Sequence, residues 1–197
     1  IALIGGYGIT ECSPLVSVNP DSFNDYRTAG CRLACVDWKI DEPSAEGIGE
    51  ILVRGDIVMM GYYKMPEKTA EVLRDGWFYT GDYGYITLKD QLVITGRKKN
   101  LIILSNGKNI YPEELENEIL SIPEVQEVVV RAIKDDKGNE KSLMAEVFLA
   151  KEYPLQEEEL LKKIQTVLAD KPLYKRINQL VIRDVEFPKT TSKKIKR

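Results

Sequence analysis

The chain has 197 residues, 43% hydrophobic and 30% charged, which is enough to bury a core and spans the range of one domain or two. Its net charge of −3 gives no electrostatic case for binding nucleic acid, and the absence of histidine removes the commonest zinc ligand. No apolar run approaches the roughly 18 residues of a membrane span, and the odd set Cys12, Cys31 and Cys35 reads as reduced structural thiols in a cytoplasmic protein.

The chain opens at Ile1 with IALIGG, which reads as a strand already under way and so as a piece of a longer protein. GYGITE overlaps its end, with Gly5, Gly6 and Gly8 around Tyr7 and with Thr10 and Glu11 behind. Closely spaced glycines let backbone approach a flat ligand, Tyr7 offers an aromatic face, and Thr10 and Glu11 supply a hydroxyl and a carboxylate. A glycine-rich strand turn has the same composition, and the lysine of a Walker-type phosphate loop is missing. Short β-type runs are expected at 50–54, 85–88 and 92–95, with Lys89 and Asp90 turning the last two into a hairpin and a helical turn after Pro66. GEILVRGDIVMMGYY, residues 49–63, is explained by apolar alternation and takes a structural role, its tyrosines unassigned. In WFYTGD, Asp82 follows a glycine and either accepts bonds from a pair of hydroxyls or serves a turn. Arg97 of GRKK alone passes for a surface charge.

From about residue 100 the period changes. Pro112 and the acids after it fit the first turn of a helix with Leu115, Ile119 and Leu120 on one face. Residues 125–133 and 143–149 read as strands around the polar turn KDDKGNEK. Leu160, Leu161, Ile164, Val167 and Leu168 give a second amphipathic helix, and 177–185 a last strand. The expected class is α/β (α+β): a β-rich part at 1–98, then a small domain at 99–197 in which helices cover a short sheet. The basic tail Lys189, Lys193, Lys194, Lys196 and Arg197 reads, in isolation, as a solvated face.

GYGITE, GEILVRG, WFYTGD, GRKKNLIILSNGKNIYPEELE and FPKTTSKKIKR stand in the order found in adenylate-forming acyl-CoA synthetases, and the chain resembles that superfamily over essentially its whole length. The resemblance implies Tyr7, with Gly6 and Gly8, against adenine, Thr10 on phosphate, Glu11 on Mg²⁺, Asp82 on the ribose and Arg97 on the same nucleotide. It implies a hinge at Lys99, a rotation of the small domain between half-reactions, and the pantetheine arm of coenzyme A passing Gly107. Lys194 takes the place of the adenylation lysine, with Lys193 where the family usually has glycine; the spacing from Pro188 and the following Ile195 single out Lys194. The implied reaction joins a carboxylate to AMP from ATP, releasing pyrophosphate, and then passes the acyl group to the CoA thiol. The long GRKKN motif looks most like medium to long-chain fatty acid enzymes. No Ser/Thr/Gly-rich loop ending in lysine and no acyl pocket is recognisable, so the expectation is a C-terminal part that does not turn over alone. The competing readings are a non-catalytic module holding AMP or a partner, and adenylation with transfer to a carrier protein or a non-thiol acceptor; binding of nucleic acid ranks last.

Overall fold

In the computed structural model, which describes residues 4–150, 156–191 and 193–197, the chain divides into two units, Ile1–Lys99 and Asn100–Arg197. The first half of the opening run expected as a strand, residues 1–3, lies outside the described residues. The architecture is mixed α/β and rich in sheet. No helix among the described residues is long and apolar enough to cross a membrane.

In the first unit β1 (Gly6–Gly8), β2 (Leu15–Val18) and β3 (Cys31–Arg32) form a small antiparallel sheet. Then come β4 (Asp37–Asp41), β5 (Gly49–Arg54), α1 (Pro66–Val72), β6 (Leu73–Arg74), β7 (Trp77–Ile86) and β8 (Leu92–Arg97). Their strands make a second sheet in the order β4-β5-β7-β6, with β8 also paired to β7. β5 departs from the alternation read in its sequence. Residues 49–53 are buried without interruption, as expected of a strand flanked by β4 and β7 and covered on both faces. β7 is also longer than the run at 85–88. It starts at Trp77 and stops at Ile86, while Leu88 is fully exposed in the turn that Thr87 and Gln91 close. Asp90 has φ +55 there, a setting aspartate tolerates better than most residues.

The second unit opens with the short pair β9 (Ile102–Ile103) and β10 (Asn109–Ile110), followed by α2 (Pro112–Ile119). Leu115 and Ile119 of α2 are fully buried, each worth about 1.5–3 kcal/mol against exposure. Leu120, expected on that face, caps the helix and is 45% exposed. β11 (Val125–Lys134) and β12 (Glu140–Leu149) run into the polar turn from both sides, leaving Asp135 to accept the Lys137 and Asn139 amides at 2.9 Å each. α3 (Glu157–Val167) then crosses to β13 (Ile177–Arg183), which pairs parallel with β12. Parallel neighbours need such a crossover. β13 ends before Val185, which is exposed, and Val128, Val130, Leu143, Val147, Leu160 and Ile164 form the core between sheet and helices.

Candidate nucleotide site and basic tail

Along β7 every second residue is covered: Phe78, Thr80, Asp82 and Gly84. Asp82 is thus a strand residue, 4% exposed, and not part of a turn. A carboxylate facing a core demands donors. The Tyr7 hydroxyl on β1 donates to its Oδ2 at 2.6 Å, and Arg97, directly opposite on β8, brings Nε within 3.0 Å of Oδ1. Thr80 Oγ1 accepts the Asp82 amide at 3.1 Å and donates to the Ile51 carbonyl at 2.8 Å, which fixes the backbone beneath. Arg97 is half exposed, so its pair contributes about 0–1 kcal/mol. The buried phenol–carboxylate bond is the stronger one, about 1.5–3 kcal/mol.

Burial, assisted by the Asp82 charge, drives the Tyr7 hydroxyl well above the ordinary tyrosine range, so it remains a donor. The folded chain thereby keeps a proton that the unfolded chain releases above about pH 10, and stability falls as pH rises past that value by up to about 1.4 kcal/mol per pH unit. In Tyr7→Phe the alkaline limb of stability, read by denaturant titration between pH 9 and 12, is expected to flatten. The same variant is expected to lose about 2 kcal/mol at pH 7 for want of the bond to Asp82.

The glycines beside Tyr7 have a structural reason alongside the one read in the sequence. A Cβ on Gly6 would stand 2.7 Å from the Ser17 carbonyl oxygen, and one on Gly8 2.0 Å from that of Pro14. They admit chain against chain. The Tyr7 ring is 7% exposed and packs in the cluster of Val16, Ile51 and Phe78. Thr10 and Glu11 follow in a 3-10 turn, Thr10 exposed, with the Tyr62 hydroxyl donating to Glu11 Oε1 at 2.9 Å. Burial and that carboxylate raise the Tyr62 hydroxyl above its usual range. The Met59 amide on the Glu11 carbonyl at 2.8 Å binds the same two segments together. Buried Cys12 is pushed up to about 11 and stays a thiol, and all three cysteines are free.

Tyr62 and Glu50 escaped the sequence reading. Glu50, 6% exposed, accepts the Gly81 amide at 3.1 Å and pairs with Lys98 at 2.6 Å. That bond lifts the Lys98 ammonium above the ordinary lysine value. An acid inside an apolar run was the available signal, since a covered charge needs a partner. Lys99 is exposed in the 3-10 turn Lys98–Asn100, and beyond it the Asn100 side-chain amide donates to Glu113.

In the second unit Gly107 has φ +77, its amide bonded to Leu104 at 2.8 Å, and open space where a Cβ would be. Turn geometry accounts for it without a ligand. The basic tail folds back on itself, although most of its described residues stay exposed. Lys189 faces Ile195 in an antiparallel bridge, the Lys196 amide reaches the Pro188 carbonyl at 2.8 Å, and the Thr190 amide reaches that of Lys194 at 2.8 Å. Lys189 pairs with buried Glu127, and Arg197 with buried Glu116. Lys193 sits at φ +60, where a non-glycine residue costs about 1–2 kcal/mol. Lys194 is exposed next to it.

Comparison with known proteins gives the family. The profile of the AMP-binding enzymes matches residues 1–63, and that of the AMP-binding enzyme C-terminal domain matches residues 114–194. Long-chain-fatty-acid–CoA ligases of Escherichia coli O157:H7 and Bacillus subtilis are 37% and 38% identical over 99% of this chain, which spans 35% of the length of each. The structure of o-succinylbenzoate CoA synthetase from Bacillus subtilis, in complex with its acyl-adenylate intermediate, superposes with a TM-score of 0.84 at 30% identity, over 98% of this chain and 39% of that one. With both profiles matched in their order and the fold shared, the chain belongs to the adenylate-forming superfamily of AMP-binding enzymes.

Proposed function

We propose that this chain supplies the nucleotide-holding and tail-lysine parts of an AMP-forming acyl-CoA synthetase acting on fatty acids. The observation that carries the reading is the meeting of residues 7, 82 and 97 at one buried carboxylate. A carboxylate fixed on both oxygens keeps lone pairs for two vicinal hydroxyls, which is the demand a ribose makes. Arg97, reaching outward from the same pair, is available to the nucleotide, while the buried Tyr7 ring braces the carboxylate from the core side and offers adenine no open face. The exposed Thr10 hydroxyl serves a phosphate oxygen. Glu11, oriented by Tyr62, suits Mg²⁺ carried in on the phosphates, since that ion usually takes only one or two protein carboxylates. Mg²⁺, when bound, neutralises phosphate charge.

In the first half-reaction a carboxylate oxygen attacks the α-phosphorus of ATP, and the bond to pyrophosphate breaks. The Lys194 ammonium attracts the carboxylate and stabilises charge gathering on the α-phosphate. In the second, the CoA thiolate attacks the acyl carbonyl, AMP leaves, and the pantetheine arm runs past Gly107. Lys99 is the pivot between the two. The names of the curated relatives and the GRKKN motif favour a fatty acyl substrate. The chain spans about a third of the length of those relatives, which supports reading whole turnover as the work of a longer parent protein.

The test is formation of AMP and acyl-CoA by that parent with ATP, Mg²⁺, CoA and carboxylates from acetate to palmitate. Acyl-CoA is expected with long chains. AMP without acyl-CoA would move the acceptor to a carrier protein or an amine, and no turnover with any carboxylate would leave a nucleotide-binding module.

A further inference from the structure

The tail that carries Lys194 has little apolar anchorage: Phe187 is buried at its start, while Ile195 is only half-buried and residues 188–191, 193 and 194 are exposed. What fastens it instead is a pair of acids from the second unit's framework. Glu127, on β11, is 6% exposed; it accepts the Phe187 amide at 2.8 Å and pairs with Lys189, which also meets Glu186 at 2.7 Å. Glu116, on α2, is 7% exposed; it accepts the Val130 amide at 2.7 Å and pairs with Arg197, whose guanidinium lies 3.6 Å from Glu113. One acid therefore grips the outgoing strand of the tail hairpin and the other its returning end. Lys194 lies between the two grips, its carbonyl accepting the Thr190 amide and its own amide 3.2 Å from Thr190 Oγ1.

Burying carboxylates is a poor way to gain stability, because desolvation offsets the attraction and well-packed apolar residues often serve as well. It is a good way to set register, because each acid holds fixed positions of the tail, Phe187 and Lys189 for Glu127 and Arg197 for Glu116. We infer that Glu116 and Glu127 are positioning residues for Lys194, holding both feet of the hairpin so that its ammonium is presented at one place. The inference rests on the proposed adenylating role of Lys194. It also explains the basic tail itself: Lys189 and Arg197 are its fastenings, and Lys194, which meets no carboxylate among the described residues, is its working group.

The experiment compares Glu116→Gln, Glu127→Gln, Lys189→Met, Arg197→Met and Lys194→Ala in the intact parent. Three readouts are taken: pyrophosphate exchange for the first half-reaction, thioester formation from supplied acyl-adenylate for the second, and amide exchange at residues 194 and 196. The two methionine variants release the feet from the tail side and keep both framework acids, with their bonds to the Val130 and Phe187 amides, in place. In each clamp variant the first half-reaction is expected to fall about ten-fold to a hundred-fold, the cost of a displaced group. Thioester formation is expected to hold, and exchange at 194 and 196 to accelerate while the β12 amides stay protected. A merely structural role would lower both half-reactions together with thermal stability, and that result overturns the proposal. So does an unchanged first half-reaction in the clamp variants when Lys194→Ala abolishes it. If Lys194→Ala leaves adenylation intact, the functional reading falls first and takes this inference with it.

Discussion

Replacing Lys194 by alanine in the intact parent is expected to slow acyl-adenylate formation about 10²–10³-fold, the usual loss when one group aimed at developing charge is removed. The argument is local. Lys194 stands exposed on an ordered hairpin, whereas Lys189 and Arg197 of the same tail are spent on Glu127 and Glu116. Thioester formation from a supplied adenylate should persist, because on the proposed cycle the small domain has by then turned Lys194 away. Lys193 provides the control. Its backbone occupies the left-handed region, so Lys193→Gly relieves about 1–2 kcal/mol of strain, partly offset by glycine's greater freedom when unfolded, and adenylation should survive. Pyrophosphate exchange on the two variants separates the neighbours. Equal loss in both would make the positive pair, rather than one ammonium, the functional unit.

Asp82→Ala carries the second large effect, on two observables. The Tyr7 hydroxyl would be left buried without its acceptor, at about 1–3 kcal/mol, while half-exposed Arg97 turns to water at little cost. AMP would lose two bonds to a charged acceptor, and affinity should drop by 10²-fold or more. Calorimetric titration with AMP, beside denaturant unfolding, reads both. Arg97→Ala is the milder comparison, with a smaller loss of affinity and almost none of stability. Nucleotide affinity unchanged in Asp82→Ala would remove the ribose assignment and leave Asp82 as an internal brace for Tyr7.

Much of the second unit could be read from periodicity, since Leu115, Ile119, Leu160 and Ile164 repeat at helical spacing and all turn out buried. Element ends were harder. β7 was underestimated because glycine and aspartate in WFYTGD look like turn residues, whereas their neighbours alternate in and out of a sheet. That alternation, with an acid on the covered side, is what a reader of the sequence could have used. Order of motifs pointed to residues 7, 82 and 97, but no one-dimensional pattern says that Tyr7 donates to Asp82, or that Gly8 is needed by the Pro14 carbonyl. Glu50, Glu116 and Glu127 were missed for a related reason. Glu116 and Glu127 each stand beside other polar residues of their elements, Glu50 signals only that some partner exists, and all three partners are remote in sequence.

The connection between the units has its own mechanical consequence. Arg97 is tied to Asp82, Lys98 to Glu50, and Asn100 to Glu113, so Lys99 is the one residue left between fastenings. On the proposed reaction cycle this puts the change of backbone torsions at Lys99 and its immediate neighbours. Reorientation at that point need unwind no more than a single 3-10 turn. Almost any hydrated side chain can ride on such a pivot. Glu50 and Glu113, which hold the residues on either side of Lys99, are then the groups whose loss would loosen the joint of the proposed cycle.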